Sequence, residues 1–447
     1  MSKVIRIFRT LRNNWKKSTF AAILGYYGIE YARDWHRNFL MMREYSREAL
    51  IHGQRPLPAG AKNKHITIFL NPTSGNRKSK AKLEKFAEPL FHLSGFLVNI
   101  VRTERIDEAR DLAKIIEKTN IIASAGGDGT LFETVTGLLR REDAEEALRR
   151  YPLAVIPVGS HNKFAHNLFH NKAGKDYSDP RLIAEAAMAV VKHKIRPQDV
   201  MQITISDVDN SLQTPEPEVA AAAEDVTKPK KPFYSVDEIS IGKFREAQKI
   251  RDEMPSFFPN LFATFLSLYR TPQENFKAEI RYVPACDGCI TCVKPKPIVK
   301  ASTDSPVTFK ESNEPSIWSR IFSVFRPQPV HAQTTTEIDA VDNPYVNPEC
   351  GTWESFCVDT SELNVKVAGN GRLQIQVNKK LDKTDFMIEG LKRRKNASAN
   401  YAQVIDCQEI EIFPIDGHKY MSIDNEEFEM KPIKVKCLKE KVYFFVP

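Results

Sequence analysis

A chain of 447 residues has room for two or three domains and a sizeable core, at about 150 residues per domain. Its 42% hydrophobic and 27% charged residues exclude a disordered chain and one embedded throughout in a membrane. The net charge of +8 suits an acidic partner such as a nucleotide or an anionic membrane surface, and it excludes the dense basic footprint of a nucleic-acid binder.

Residues 1–29 hold Lys3, Arg6, Arg9, Arg12, Lys16 and Lys17 and no acid. Val4, Phe8, Leu11 and Trp15 share one helical face, which makes a basic amphipathic helix. The uncharged run Ser18 to Ile29 is too short for a span of about 20 residues. Three readings fit: a secretory h-region without a cleavage site, an Arg-rich mitochondrial address, or a surface helix packed on the body. Pro56, Pro58 and Gly60 then mark a linker.

His65 to Leu70 reads as a strand, followed by the polar turn Asn71-Pro72-Thr73-Ser74-Gly75-Asn76. Arg77, Lys78, Lys80 and Lys82 open the next helix, where the dipole would favour acids, so they suit either a bound polyanion or a solvated basic face. Strand and helix signals alternate through Leu97 to Val101 and Ile106 to Glu117. The most informative stretch is 121–139, IIASAGGDGTLFETVTGLL: a β-branched run, a glycine turn and an apolar helical pattern. Its three glycines permit close backbone approach, and Thr130 with Glu133 has the spacing of a capping box. The turn thus falls at a helix N-terminus, a ready anion site. A tight βα turn without a ligand uses the same glycines, but it does not need the carboxylate of Asp128.

Leu153 to Ile156 is the next strand and Ile156-Pro157-Val158-Gly159-Ser160-His161-Asn162-Lys163 its turn. This βαβ rhythm predicts a parallel sheet with ligands at the carboxyl ends of its strands, where Asn71, Asp128 and Gly159 all fall. A helix around Arg181 to Lys194 and a strand from Asp199 to Ile205 leave that region. Residues 206–232, rich in Pro, Ala and acids, read as a disordered insert. From Phe233 the helical signal weakens. Short β runs follow at Arg372 to Asn378, Gln403 to Phe413, Lys419 to Ile423, Ile433 to Leu438 and Val442 to Val446, which predicts a mainly antiparallel sandwich. A second low-order tract, 293–348, carries the stripe Ile317, Trp318, Ile321, Phe322 and Phe325, suited to a lipid interface or to the core. The predicted organisation is a targeting and anchoring segment at 1–60, an α/β domain at 61–198 and a β-sandwich domain at 199–447.

Seven cysteines, an odd number in the second half, argue against a simple disulfide framework. Cys286, Cys289 and Cys292 form a C-x-x-C-x-x-C run, but tetrahedral zinc needs four ligands and no His lies nearby. Thiols in a loop are the expectation, ahead of a redox disulfide or a metal; Cys350 and Cys357 are another candidate pair.

The ordered set Asn71-Pro72-x-Ser74-Gly75, Gly126-Gly127-Asp128-Gly129-Thr130, Ile156-Pro157-x-Gly159 and Ile423-Asp424-Asn425-Glu426 resembles the diacylglycerol kinase catalytic domain shared with sphingosine kinases. LRNNWKKST and TVTGLLRRED resemble the mitochondrial acylglycerol branch of that family more closely still. GGDGT alone also occurs in NAD kinases and some phosphofructokinases, so the specificity lies in the set. The resemblance implies a parallel α/β nucleotide domain followed by an antiparallel β-sandwich, with the active site in the cleft between them. It implies γ-phosphoryl transfer from ATP, with Mg²⁺, to the hydroxyl of mono- or diacylglycerol at the inner mitochondrial membrane on the intermembrane-space side. It also implies a second role as a translocase subunit for carrier import.

By this resemblance Asn71, Ser74, Gly75, Gly126, Gly127, Gly129, Thr130, Gly159, Ser160 and Asn162 bind the nucleotide. Asp128, Asp424 and Glu426 are the catalytic carboxylates, Asp128 the favoured base and Asp424 with Glu426 the metal ligands. An acidic hairpin tip is the alternative for Asp424 and Glu426. The chain departs from the pattern at Asn425, where Gly is usual, and at His161 and Lys163, where Gly and Asp are usual. Of a further glycine-rich motif only Gly242 survives in Ser235 to Ala247, where a bulge glycine is the other reading.

Overall fold

The computed structural model describes residues 14–56, 64–105, 107–169, 179–206, 231–255, 258–286, 289, 347, 350–394, 401–416 and 419–447. The basic stretch before Asn14, the body of both inserts, the 317–325 stripe, Pro58, Gly60 and Cys292 lie outside them. The described residues form two units. One runs to Ala285 and resumes at Trp353; the other is Cys286–Thr352.

The first unit opens with a 39-residue helix, Trp15–Gly53. Met42, Tyr45 and Ala49 near its end pack on the body, whereas Trp15, Phe20, Tyr27, Tyr31 and Trp35 are exposed. Among the described residues no helix is long and apolar enough to cross a membrane.

Strands β1 (His65–Leu70), β2 (Leu97–Arg102), β3 (Ile121–Gly126) and β4 (Leu153–Pro157) then alternate with helices. They pair in parallel in the order β4-β3-β1-β2, with Ile66 opposite Ile121 and Ala123 opposite Ala154. β1, β3 and β4 are buried nearly throughout, as β-branched runs covered on both faces should be. The helix Asp179–Lys192 covers one face with Leu182, Ile183, Ala186 and Val190.

β5 (Ile195–Ile205) leads out of this region, beginning several residues before the predicted strand. The remaining strands are β6 (Phe233–Ser235), β7 (Glu238–Gly242), β8 (Phe276–Pro284), β9 (Glu354–Thr360), β10 (Glu362–Gly369), β11 (Arg372–Val377), β12 (Gln403–Asp416), β13 (Tyr420–Ile423), β14 (Glu426–Glu429) and β15 (Ile433–Phe445). All their mutual pairings are antiparallel. The two predicted runs at 433–438 and 442–446 are one strand, β15, with a register shift between Leu438 and Val442 where Glu440 takes a left-handed φ of 48°. The expectation of few helices after Phe233 is corrected: Lys243–Asp252, Asn260–Arg270 and Lys383–Arg393 are all helical. The three pack on one another through Ala247, Leu268 and Phe386, a small cluster apart from the two main cores, and Lys243–Asp252 and Lys383–Arg393 carry few apolar residues of their own.

β15 joins the two halves. Near its start Ile433 and Val435 enter a core built from the antiparallel strands; near its end Val442, Phe444 and Phe445 enter the α/β core. Phe444 pairs in parallel with Leu153 of β4, which makes the parallel and antiparallel strands one hydrogen-bonded path.

Candidate active site

The turns after β1, β3 and β4 meet at the carboxyl end of the parallel strands. Val158 and Gly159 donate their backbone N–H groups to the Gly126 carbonyl at 3.2 and 2.9 Å, and Asp128 donates its own to the His161 carbonyl at 3.0 Å. Asn71 N–H donates to the Ala125 carbonyl at 3.1 Å. These contacts explain the glycines. A Cβ at Gly159 would lie 2.5 Å from the backbone of Gly127, and one at Gly127 would lie 2.7 Å from the His161 carbonyl. A Cβ at Gly129 would instead collide with the side chain of Glu426. Gly75, Asn76 and Arg77 run consecutively at φ of 60°, 56° and 62°, a left-handed turn that costs energy at the two non-glycine positions. Of the predicted basic face, Lys80 pairs with Glu84 and Lys82 with Asp179, while Arg77 and Lys78 are exposed.

The helix after β3 is Asp128–Leu139, starting three residues earlier than a capping box at Thr130 requires. Thr130 folds over Gly126, and Glu133 accepts a hydrogen bond from the Asp107 N–H at 3.1 Å instead of capping its own helix. Three close-packed turns leave no space for a side-chain cap. The N–H groups of Gly129 and Thr130 belong to the first helical turn, where no intrahelical acceptor exists, so they suit an anion. Asn162 sits beside them; its Nδ2 donates to the Gly159 carbonyl at 3.0 Å while its buried Oδ1 has no partner. The glycine cradle and this orphaned acceptor fit a nucleotide. Ser160 is exposed, and Asn71 holds its own turn by accepting from Thr73 at 2.7 Å.

The three carboxylates differ. Asp128 is buried, and its oxygens accept from Lys163 N–H at 2.9 Å, Phe164 N–H at 3.2 Å and Asn425 Nδ2 at 3.0 Å. Burial raises its pKa against those three donors. Asp424 is buried too, and it accepts from Ser235 Oγ at 2.7 Å and from the N–H groups of Val236, Asp237 and Glu238 at 3.0 to 3.2 Å. Burial and the nearby Asp237 carboxylate push it up to about 8. Glu426 is open to solvent as a residue and sets its carboxylate against Gly129; the protein around that group raises its pKa, with Arg245 opposing. A Mg²⁺ held largely by phosphates and water needs one or two such carboxylates. Glu426 fits that donor set, whereas the acceptor positions of Asp424 are committed to the Ser235–Glu238 loop.

The two departures from the family pattern in the β4 turn, His161 and Lys163, have partners. His161 Nε2 lies 2.8 Å from Asp252 Oδ2, and its Nδ1 lies 3.3 Å from Gln248 Nε2, which ties the β4 turn to the helix Lys243–Asp252. Lys163 pairs with Glu238. Burial disfavours the charge on Lys163, but Glu238 and Asp237 raise its pKa overall. Asp237 in turn is pushed up to about 7, mainly by burial. Gly242 has φ 116° at the junction of β7 and its helix, where a Cβ would strike the Ser361 carbonyl, so it is a turn glycine and not a bulge.

A cavity of about 1010 Å³ adjoins these turns, lined by Ser160, His161 and Lys163 on one side and by Phe244, Arg393 and Tyr401 on the other. Sequence reading missed this far wall. Glu362, buried on β10, accepts both arms of Arg393 at 2.8 and 2.7 Å, and the Arg393 guanidinium lies 3.8 Å from the centre of the Phe244 ring. Asp237 and Glu238 stood in the sequence without a signal, because their partner Lys163 is far away along the chain.

Residues 65–203 match the diacylglycerol kinase catalytic domain family. The mitochondrial acylglycerol kinase of Mus musculus is 29% identical over 98% of this chain and 96% of its own length, and that of Homo sapiens is 28% identical over the same shares. A solved candidate diacylglycerol kinase from Bacillus anthracis str. Sterne aligns with a TM-score of 0.50 over 87% of this chain and 98% of its own; at 16% identity it bears on the fold alone. Residues 65–203 are thus similar to the diacylglycerol kinase catalytic domain family, and the chain is similar over nearly its whole length to the mitochondrial acylglycerol kinases.

Proposed function

We propose that this protein transfers the γ-phosphoryl of ATP to the hydroxyl of mono- and diacylglycerol, giving lysophosphatidic and phosphatidic acid. The observation that carries this reading is the cavity shared by the phosphate-binding turns and the helix Asn260–Arg270. That helix lines the cavity with Thr264, Ser267 and Leu268 and exposes Leu261, Phe262, Phe265 and Tyr269 on its other side. An apolar outer face beside a polar cavity suits a lipid alcohol drawn from a membrane.

ATP with Mg²⁺ supplies the phosphoryl group and neutralises its developing charge. The Gly126–Thr130 turn offers N–H groups to the phosphates. Glu426, beside Gly129 and with its pKa raised, takes the proton of the lipid hydroxyl or holds the metal. Asp128 and Asp424 act as positioning residues in this reading: Asp128 caps the start of the Lys163–Leu168 helix, and Asp424 fixes the Ser235–Glu238 loop.

The membrane partner is an anionic surface. The acid-free N-terminal stretch and the exposed aromatics from Trp15 to Phe39 support it, together with a mitochondrial inner-membrane address facing the intermembrane space. The same exposed aromatic face supports a second reading, a kinase-independent subunit of a carrier-import translocase, and one chain can serve both.

Radiolabelled ATP supplied with mono- or diacylglycerol tests the kinase reading on wild type and on Gly127→Glu. Labelled lipid from wild type and none from the variant is the expected result. Wild type that labels no lipid overturns it and leaves the translocase reading in front.

A further inference from the structure

Cys286, Cys289 and Cys350 set their sulfur atoms all within 4.8 Å of one another. The first two share one short stretch, and the third comes from the far end of the second insert. Among the described residues this is the one group of three or more His, Cys, Asp or Glu side chains whose ligand atoms lie so close. Cys289 is fully buried, and Asn347 Nδ2 donates to Cys286 Sγ at 3.5 Å.

This placement changes the meaning of the run. Read from sequence, the run Cys286, Cys289 and Cys292 lacked a fourth ligand, and Cys350 was a candidate partner for Cys357. The fold brings a further thiol, Cys350, to Cys286 and Cys289 from a distance along the chain that spacing could not show. A disulfide bonds two sulfurs at about 2.0 Å and leaves the third over. A metal takes all three: with Zn–S near 2.3 Å the edge of a tetrahedral site is about 3.8 Å, so the trio needs to contract by no more than about 1 Å. Sulfur donors select zinc over Mg²⁺ or Ca²⁺, which prefer oxygen. The Asn347 amide supplies the hydrogen-bond donor that metal-bound thiolates commonly accept.

We propose that Cys286, Cys289 and Cys350 are three ligands of a structural Zn²⁺ that ties together the two ends of the segment they bound. Each thiol loses its proton to solvent as its Zn–S bond forms, and the fourth position is filled by a donor beyond these three. Closing so long a loop at its base restricts the unfolded chain and holds the segment's ends in register. The site is independent of the kinase chemistry.

Metal analysis of the full-length protein, purified under reducing conditions without chelator, tests this. About one zinc per chain is expected. Cys286→Ser and Cys350→Ser should each lose most of it, with the far-UV circular dichroism of wild type, while Cys437→Ser on β15 should keep it. Cobalt(II) offered to metal-stripped wild type covers the case of variants that fail to fold, since a thiolate site gives intense sulfur-to-cobalt charge-transfer bands. Reduced protein with neither zinc nor those bands overturns the proposal. So does a zinc-free native mass short of the reduced mass by a pair of hydrogens, which assigns a disulfide instead.

Discussion

The turn cluster at the ends of the parallel strands and the wall built by the antiparallel strands reach the same cavity by opposite means. In the first, backbone packs on backbone: Gly159 against Gly127, Gly127 against the His161 carbonyl, Gly75 against the Val158 carbonyl. In the second, long side chains from elements far apart in the chain satisfy one another, as Glu362 of β10 with Arg393 of a helix, and Glu238 of β7 reaches across to Lys163. A backbone-packed region tolerates no added atom, whereas a side-chain-packed region tolerates added atoms and fails when a partner is removed. That difference predicts which substitutions do most harm on each side.

The largest effect on turnover is expected at Gly159. Its added Cβ would meet Cα and N of Gly127 at 2.5 Å, and neither can swing aside. Gly159→Ala should lower turnover on acylglycerol by about 100-fold, the usual consequence of an ångström-scale displacement at a reacting centre, and cost about 1–3 kcal/mol of stability. Gly129→Ala meets only the Glu426 side chain and should cost less stability. Steady-state kinetics and urea unfolding of both variants check the contrast, and equal behaviour of the two would erase it.

Across the cavity the next effect follows from a deletion. Arg393→Ala leaves the Glu362 carboxylate buried with only the amides of Asn364 and Asn378, at 3.2 and 3.3 Å, as donors. Stranding a buried charge costs about 3–5 kcal/mol, so the urea midpoint should fall steeply, with turnover reduced less than in Gly159→Ala. Adding Glu362→Gln removes the stranded charge and should recover part of the loss. A single variant as stable as wild type would mean that the wall does not depend on this pair.

The same contrast explains what the sequence disclosed. Asn71, Gly126 to Thr130 and Gly159 were readable because each follows closely on an apolar strand pattern, so local pattern placed all three at strand ends. The parallel sheet followed from the same alternation. Asp424 was readable only by family resemblance, since its four donors lie nearly two hundred positions away. The Glu362–Arg393 pair, the partners of Lys163 and the Cys350 contribution left no local trace, because each exists only once separate strands or insert ends are brought together. The helix Lys383–Arg393 was missed for a related reason: it buries only Phe386 and Gly390, too few residues to set a period.

A smaller effect tests electrostatics at the junction of the two regions. Burial, with Asp107 and Glu426 nearby, pushes Glu133 up to about 7. Because the fold favours its protonated form, the stability from this group is present below the usual glutamate pKa and is lost as pH rises through about 7. Glu133→Gln can keep the hydrogen bond from Asp107 N–H and cannot ionise. Its stability relative to wild type should therefore rise between pH 5 and 8, by on the order of 1 kcal/mol once solvent screening of a half-buried group is allowed for. Urea midpoints at several pH values read this directly, and parallel curves for the two proteins would refute it.

The smallest expected effect lies at Asn425, the residue that links the two regions. Its Nδ2 reaches the Asp128 carboxylate at 3.0 Å, its carbonyl accepts from Arg245 at 2.9 Å, and its φ is 68°. Glycine, usual in the family, relieves the left-handed strain but gives up the hydrogen bond to Asp128; alanine gives up the bond and keeps the strain. Each contribution is about 0.5–1 kcal/mol, so Asn425→Gly should lie near wild type and Asn425→Ala below both. The order is informative because the two terms act on different regions. Strain belongs to the β13–β14 hairpin alone, whereas the hydrogen bond holds Asp128 in the turn cluster. If Asn425→Ala loses stability but keeps full turnover, the hairpin feels the change and the turn cluster holds Asp128 unaided; if turnover falls in both variants alike, the amide is what carries the antiparallel wall's influence into the turn cluster.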